Sequence, residues 1–477
     1  MTTNHTPGKL PPLAGLCTFD EAQRPGLPVE ECVRRLKHYH YSLKRLHQIF
    51  NNRISSEPVY ELKMTFSLHA YYCAEHVTAL RQRVGEVREP PLGLESVPNT
   101  HLEILFDEIL AAPTTVELLL GIYEVALPSL QNELQQHLLD TNPLADHPSV
   151  RMIRFAMLEI DEMLTIGQAT IDELVDEKQR AQSQSWLGLL NQCLANADAT
   201  GELAQQTVKR QHSVMPYRYD GSPRRDNRFP DPYNMGVNAE SFLYDEQYPP
   251  EPKTLMMFYK RLREIDVPEM MSSIIAETPG KPWDYYRDMT RQLWDEARHA
   301  MMGEVGFVNL GIDWPNKVMV NFNWSHALNA QLTPIERHAV LYFIELGLMP
   351  KTGKRFEWEV ALDSNNLLSA LFQDYDWADE VLHSRIGRDW YLPEFKTPKA
   401  ALDFGDTCWT RVFMDWNQYR LDGKTDHRNW WPDLYIAACK SWGIEPNPNV
   451  LRFDTSYETV RADLTPVSAS GGFLHFP

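Results

Sequence analysis

The 477-residue sequence contains no apolar run approaching the roughly 18 residues of a membrane span, so no membrane partner is expected. It also contains no C-x-x-C pair. Its six cysteines, Cys17, Cys32, Cys73, Cys193, Cys408 and Cys439, lie far apart, which speaks against a zinc knuckle or a disulfide framework and for reduced thiols in a cytoplasmic protein. A basic excess is missing as well: 46 Lys and Arg stand against 65 Asp and Glu, a net charge of −19, and the cations are scattered, so no nucleic-acid partner is expected. The opening MTTNHTPGKLPPLAG has neither the charged start nor the long apolar core of a secretory signal, and nothing in it directs export. Strand patterns are scarce, no short repeat is visible, and no flavin or nicotinamide fingerprint occurs.

The composition that is present, 43% hydrophobic and 23% charged, is that of an ordinary globular chain and excludes a wholly disordered or collagen-like one. At roughly 100–200 residues per domain, two to three domains are expected. Residues 1–29 are proline-rich and aperiodic and read as a surface arm. Apolar residues then recur at three- and four-residue spacing over 32–54, 60–87, 101–139 with breaks at Pro113 and Pro128, 149–175 and 183–204, which predicts a first helical body over 30–206. Residues 207–252, dense in Pro, Asp, Asn and Arg, read as a linker packed along a surface. Helical pattern returns near 254–277, 283–310, 334–346 and 364–391, giving a second body over 253–395, and 396–477 forms a helical extension and tail. The expected fold class is mainly α.

Two pentapeptides carry the chemistry: Asp295-Glu296-Ala297-Arg298-His299 and Asp379-Glu380-Val381-Leu382-His383, both D-E-x-x-H. Residues i and i+3 share a helix face, so each motif aims one carboxylate and one imidazole at the same point. A dinuclear site in a four-helix bundle uses this pair twice and adds a Glu from each of two other helices. Asp295 and Asp379, next to the ligand glutamates, suit a supporting duty: holding the second nitrogen of a ligand histidine.

Each remaining Glu should precede its E-x-x-H by about one helical hairpin, roughly 30 residues. Before Glu380, Glu345 lies 35 residues upstream in an apolar run where an unpaired carboxylate is costly to bury. Glu336 is less suitable, because Thr333-Pro334-Ile335-Glu336 reads as a capping box. Before Glu296, Glu269 lies 27 residues upstream on a helix opened by Asp266 and Pro268, and Glu264, at 32 residues, is its rival. The phase of Glu269 with Ile265, Ser272, Ser273 and Ala276 favours Glu269.

At these residues the sequence resembles the ferritin-like di-iron carboxylate superfamily, whose ligands run Glu, E-x-x-H, Glu, E-x-x-H. Asp295-Glu296-Ala297-Arg298-His299 also matches the D-E-x-R-H signature of di-iron monooxygenases, whereas Leu382 replaces Arg in the second motif. The resemblance covers about residues 254–391. It implies a ferritin-like four-helix bundle holding two irons per chain, with manganese or a mixed Fe/Mn pair as the alternative, on Glu269, Glu296, His299, Glu345, Glu380 and His383. Glu296, Glu345 and Glu380 would be the catalytic carboxylates.

The expected activity is that of a di-iron oxidase or oxygenase acting on a small-molecule substrate, with electrons from a separate donor protein or from the substrate itself. A manganese enzyme handling peroxide or acting as a Lewis acid, and a non-catalytic metal-binding interaction protein, are the alternatives. The first body has no E-x-x-H. It could be a degenerate ferritin-like repeat, with His69, His76, Glu124 and Glu159 as remnants, but packing and partly exposed polar roles are favoured for them, and for Glu75, Asp161 and Glu162. Its expected use is to enclose the active site or to make a homodimer contact. The tryptophans Trp409, Trp416, Trp430, Trp431 and Trp442 read as packing, and Arg224, Arg225 and Arg228 as solvated charge in preference to a site for an acidic group.

Overall fold

A computed structural model of the chain describes residues 10–198, 207–350, 353–413, 416–457 and 459. The fold is mainly α, and no strand occurs among the described residues. No described helix is long and apolar enough to cross a membrane.

The chain divides into two compact units, one holding the described residues up to Ile49 together with Tyr72–Arg218, the other Phe50–Tyr71 together with the described residues from Tyr219 onward. Helices α1 (Val29–Arg53) and α2 (Tyr60–Val87) contribute to both. The first unit continues with α3 (Thr100–Leu110), α4 (Leu127–Asp140), α5 (His147–Leu174) and α6 (Glu177–Asp198). Pro113 ends the helical run, as expected. Pro128 does not: a wider turn over Gly121–Ala126 leads into α4, where the proline sits in the first turn and needs no backbone donor. The last part of the stretch expected at 183–204 lies outside the described residues.

The second unit carries α7 (Pro250–Arg263), α8 (Asp266–Glu277), α9 (Trp283–Asn309), α10 (Pro334–Gly347), α11 (Lys354–Asp363), α12 (Leu367–Trp390), α13 (Pro398–Phe413) and α14 (Trp431–Trp442). The stretch read as a linker includes a short helix, Ala239–Leu243, and buried residues such as Asn234 and Asn238. Helix α7 lies along α9, α9 on α12, and α12 against α10 and α11. Small residues set two of these approaches: a Cβ at Gly303 of α9 would meet the Leu262 backbone nitrogen at 2.2 Å, and one at Gly387 of α12 would meet the Tyr342 ring at 2.1 Å. The first contact brings the end of α7 directly against the D-E-x-x-H helix. Trp430 and Trp431 are fully buried in the core, and Trp409 stacks on Trp324 with ring centroids 3.8 Å apart. The Trp416 side chain lies outside the described residues.

Helices α7 and α8 are two halves of one bundle position. Pro268 has no N–H to give the Glu264 carbonyl, which instead accepts from Val267 at 3.0 Å, and the chain tightens to i→i+3 bonds through Glu264 and Ile265. The junction therefore falls at Glu264.

Candidate metal centre

Helix periodicity and two crossed contacts orient the histidines. His299 and His383 are both buried, their ring centroids 6.0 Å apart. The Nε2 of His299 lies 3.2 Å from Asp379 of the opposite motif, and the Nε2 of His383 lies 3.5 Å from Asp295. With Nε2 held by a carboxylate, each Nδ1 faces inward, the arrangement that fixes a ligand tautomer. Arg298 binds both Asp295 and Asp379, the latter at 2.8 Å, and Arg291 binds Asp295 at 2.9 Å. One arginine thus serves both motifs, which explains why Leu382 can stand at the corresponding place in the second.

The inward atoms fall into two adjoining groups, Glu264, His299, Asp376 and Glu380 in one, Glu296, Glu345, Glu380 and His383 in the other, with the donor atoms of each within 4.8 Å of one another. That is close to the span of about 4 Å between donors on opposite sides of an ion about 2.1 Å from each. In the second group the His383 Nδ1 lies 3.2 Å from Glu296, 3.3 Å from Glu380 and 3.9 Å from Glu345. In the first, the His299 Nδ1 is 3.5 Å from Glu264 and from Asp376, and equally far from Glu296 of the second. Five buried atoms of these groups make no hydrogen bond: both histidine Nδ1 atoms and one oxygen each of Glu264, Glu345 and Glu380. Buried polar atoms are ordinarily paired, so this convergence of two ring nitrogens and three carboxyl oxygens without hydrogen bonds fits a cation. Hard carboxylate oxygens with imidazole suit iron or manganese.

The two groups differ in their charge. The first is already met by protein cations: the Lys354 Nζ lies 2.9 Å from Asp376 and 2.9 Å from Glu380, and Arg261 contacts Asp376 and, at 2.8 Å, Glu264. Burial alone would raise the Glu264 carboxyl, but Arg261, Lys354 and His299 hold it down at about 2. Burial likewise opposes the Glu380 charge, and Lys354 keeps it well below the usual range. Among the described residues no lysine or arginine does the same for Glu345. Burial, with repulsion from Glu380 and Glu296, pushes it well above the usual carboxylate range, and Gln292 is its hydrogen-bond donor at 3.1 Å. His299 is raised to about 10 because Asp379, Glu264 and Glu296 outweigh its burial.

Of the residues read from sequence, Glu296, His299, Glu345, Glu380 and His383 come together, and Asp295 and Asp379 stand behind the histidines. Glu269, preferred on helix phase, does not join them; its rival Glu264 does. The two are five positions apart, about 140° around a helix, so only one can face the site. Glu269 points to the other side, where Lys63 Nζ lies 2.9 Å away, Arg225 at 3.0 Å and the Ser325 hydroxyl at 2.6 Å. The reading of Arg225 as solvated charge is corrected: its side chain is 1% exposed and also binds Asp266. Glu336 caps α10 and pairs with Arg411 at 2.9 Å.

Asp376, Lys354 and Arg261 were missed. Asp376 carried a signal, lying four residues before Glu380 on the same helical stripe. Nothing near Lys354 in the sequence announces that a lysine there is buried.

In the first unit, His76 pairs with Glu159 at 2.6 Å and Glu124 takes both Arg180 nitrogens at 2.7 and 2.8 Å. Cys32, His137 and Asp146 also cluster, but Asp146 is committed to Arg83 at 2.9 Å. His69, in the second unit, is buried edge-on to Phe50. Compared with family models, curated proteins and solved structures, the chain matches none.

Proposed function

We propose that the second unit holds a dinuclear carboxylate site of the ferritin-like di-iron type and that the protein is an oxidase or oxygenase acting on a small organic substrate. The observation that carries this reading is the convergence of five orphaned buried atoms, of Glu264, His299, Glu345, Glu380 and His383, around Glu296, from α9, α10, α12 and the α7–α8 junction. Glu296 and Glu380 lie near both histidines or in both groups and are the residues able to bridge two ions. Two bound irons would supply the electrons and open positions that reduce dioxygen. The protein keeps both Nδ1 lone pairs inward through Asp295 and Asp379, fixes Glu345 through Gln292, and anchors Asp376 and Glu380 through Lys354. Manganese fits the same donors, and electrons would come from a separate donor protein or the substrate.

A second reading is favoured by Lys354. An ammonium 2.9 Å from Asp376 and from Glu380 balances the charge a second ion would carry, which suits one tight metal on Glu296, Glu345, Glu380 and His383. Metal analysis after anaerobic reconstitution with Fe(II), coupled to oxygen uptake, tests both. About two irons per chain with substrate-dependent oxygen uptake supports the di-iron oxidase. One iron, rising to two in Lys354→Met, supports the second reading. Manganese with peroxide loss points to a peroxide-handling enzyme, and metal without turnover to a binding protein.

A further inference from the structure

A cavity of about 150 Å³ opens beside Glu264, bounded by α7, α8, α10, α13 and the helix Asn323–Gln331. We propose that it takes a small, neutral, ring-sized organic molecule bearing one hydrogen-bond donor, held with that donor toward Asp266. Calling this molecule the substrate rests on the dinuclear reading above; the binding itself does not.

Three observations lead to that ligand class. The walls are mainly apolar, with Met270, Trp324, Leu328, Ile344 and Trp409 presenting carbon surface, and a cavity of about this volume is the size that admits a benzene ring. The cations on its wall are already engaged: Arg263 binds Glu240 at 2.5 Å and the Tyr457 hydroxyl at 2.7 Å, Lys260 binds Glu357, and Arg261 binds Glu264 at 2.8 Å. An anionic ligand would meet cations whose charge is already balanced by carboxylates and would lose its hydration, so charge is selected against. Among the unpaired polar atoms of the lining residues, two are carboxyl oxygens, on Glu264 and Asp266, against one donor, the Arg261 Nε. Asp266 lines the cavity, is buried, and its Oδ2 makes no hydrogen bond, Oδ1 being the oxygen taken by Arg225 and Ser325. A ligand hydroxyl or amine N–H would satisfy it, and a buried acceptor left unmet penalises a ligand without one.

Glu264 joins this cavity to the chemistry, because the same side chain lines the void and lies 3.5 Å from the His299 Nδ1. A ring seated among Trp324, Leu328 and Ile344 is thereby brought to the edge of the first ligand group.

The test uses the full chain, first metal-free, with phenol, toluene and benzoate as probes in calorimetric titration and saturation-transfer NMR. Phenol should bind at least tenfold tighter than benzoate and several-fold tighter than toluene, and Asp266→Asn should shrink the preference for phenol over toluene. Filling the void with Leu328→Trp or, as an independent variant, Ile344→Phe should weaken phenol at least tenfold while iron content per chain stays at the wild-type value. Benzoate binding as tightly as phenol, or both filled variants binding phenol like the wild type, overturns the proposal. Absence of phenol binding in the wild type does so as well. Phenol binding with the expected selectivity in a chain that takes up no iron supports the cavity and overturns the dinuclear reading instead.

Discussion

Glu269 and Glu345 are both buried carboxylates on apolar helix faces, and the protein treats them in opposite ways. Around Glu269 the fold supplies Lys63, Arg225 and Ser325, and burial is outweighed: the carboxyl is held below the usual range by Arg225 and Lys63. Around Glu345 it supplies two further carboxylates, one amide donor and a histidine nitrogen at 3.9 Å. A buried carboxylate whose two oxygens are both taken by fixed donors is a structural element, whereas one that keeps an oxygen unpaired beside like charges has a place for a cation from outside. The comparison teaches that burial of a Glu does not identify a ligand; whether its oxygens are already bonded separates these two.

The largest effect expected from this contrast is a crossed pair of substitutions. Glu345→Gln should remove at least one metal per chain, with unchanged helicity and equal or greater stability of the metal-free chain. Glu269→Ala should keep both metals and lose about 3–5 kcal/mol, since the buried Lys63 loses the carboxylate at 2.9 Å and the buried Arg225 keeps only Asp266 of its two carboxylates. Metal analysis and urea midpoints read both; equal metal loss in the two variants would erase the distinction. Next in size, His299→Ala or His383→Ala should each lose at least one metal with little change in circular dichroism, and full occupancy in both would remove the ligand assignment.

Smaller effects follow from the supporting shell. Asp295→Asn or Asp379→Asn should preserve the fold and weaken metal affinity by roughly ten- to a hundredfold, because the histidine Nε2 loses its charged acceptor. Unchanged affinity in both would show that the aspartates do not orient the ligands. The smallest effect is in the pH dependence. The carboxyl of Glu269 is depressed in the folded state, so its contribution to stability is complete above its unfolded value near 4.5 and is lost as pH falls below that through the folded value. Urea midpoints taken from pH 3 to 7 should fall more steeply on acidification in the wild type than in Glu269→Gln; parallel curves would contradict the assignment.

Much of this arrangement was legible in the residues. Helical periodicity and the D-E-x-x-H pairs located α9 and α12, and the isolation of Glu345 in an apolar run marked it as unusual. Glu264 was legible only as a rival, because the turn that separates it from Glu269 is made by a missing N–H at Pro268, which sequence phase alone read as a helix start. The partners of Glu269 lie more than 40 residues away at Arg225 and more than 200 away at Lys63. No local pattern reports such compensation, and the same holds for Lys354 beside Glu380.

The central claim is that the uncompensated carboxylates around Glu345 are a metal site. The most direct measurement is the iron content of the full chain after anaerobic reconstitution with Fe(II) and removal of free metal, with wild type and Glu345→Gln treated side by side. The account predicts about two irons per chain in the wild type and no more than one in the variant, at equal helicity. A wild-type chain that retains no iron, or a variant that retains as much as the wild type, would contradict it.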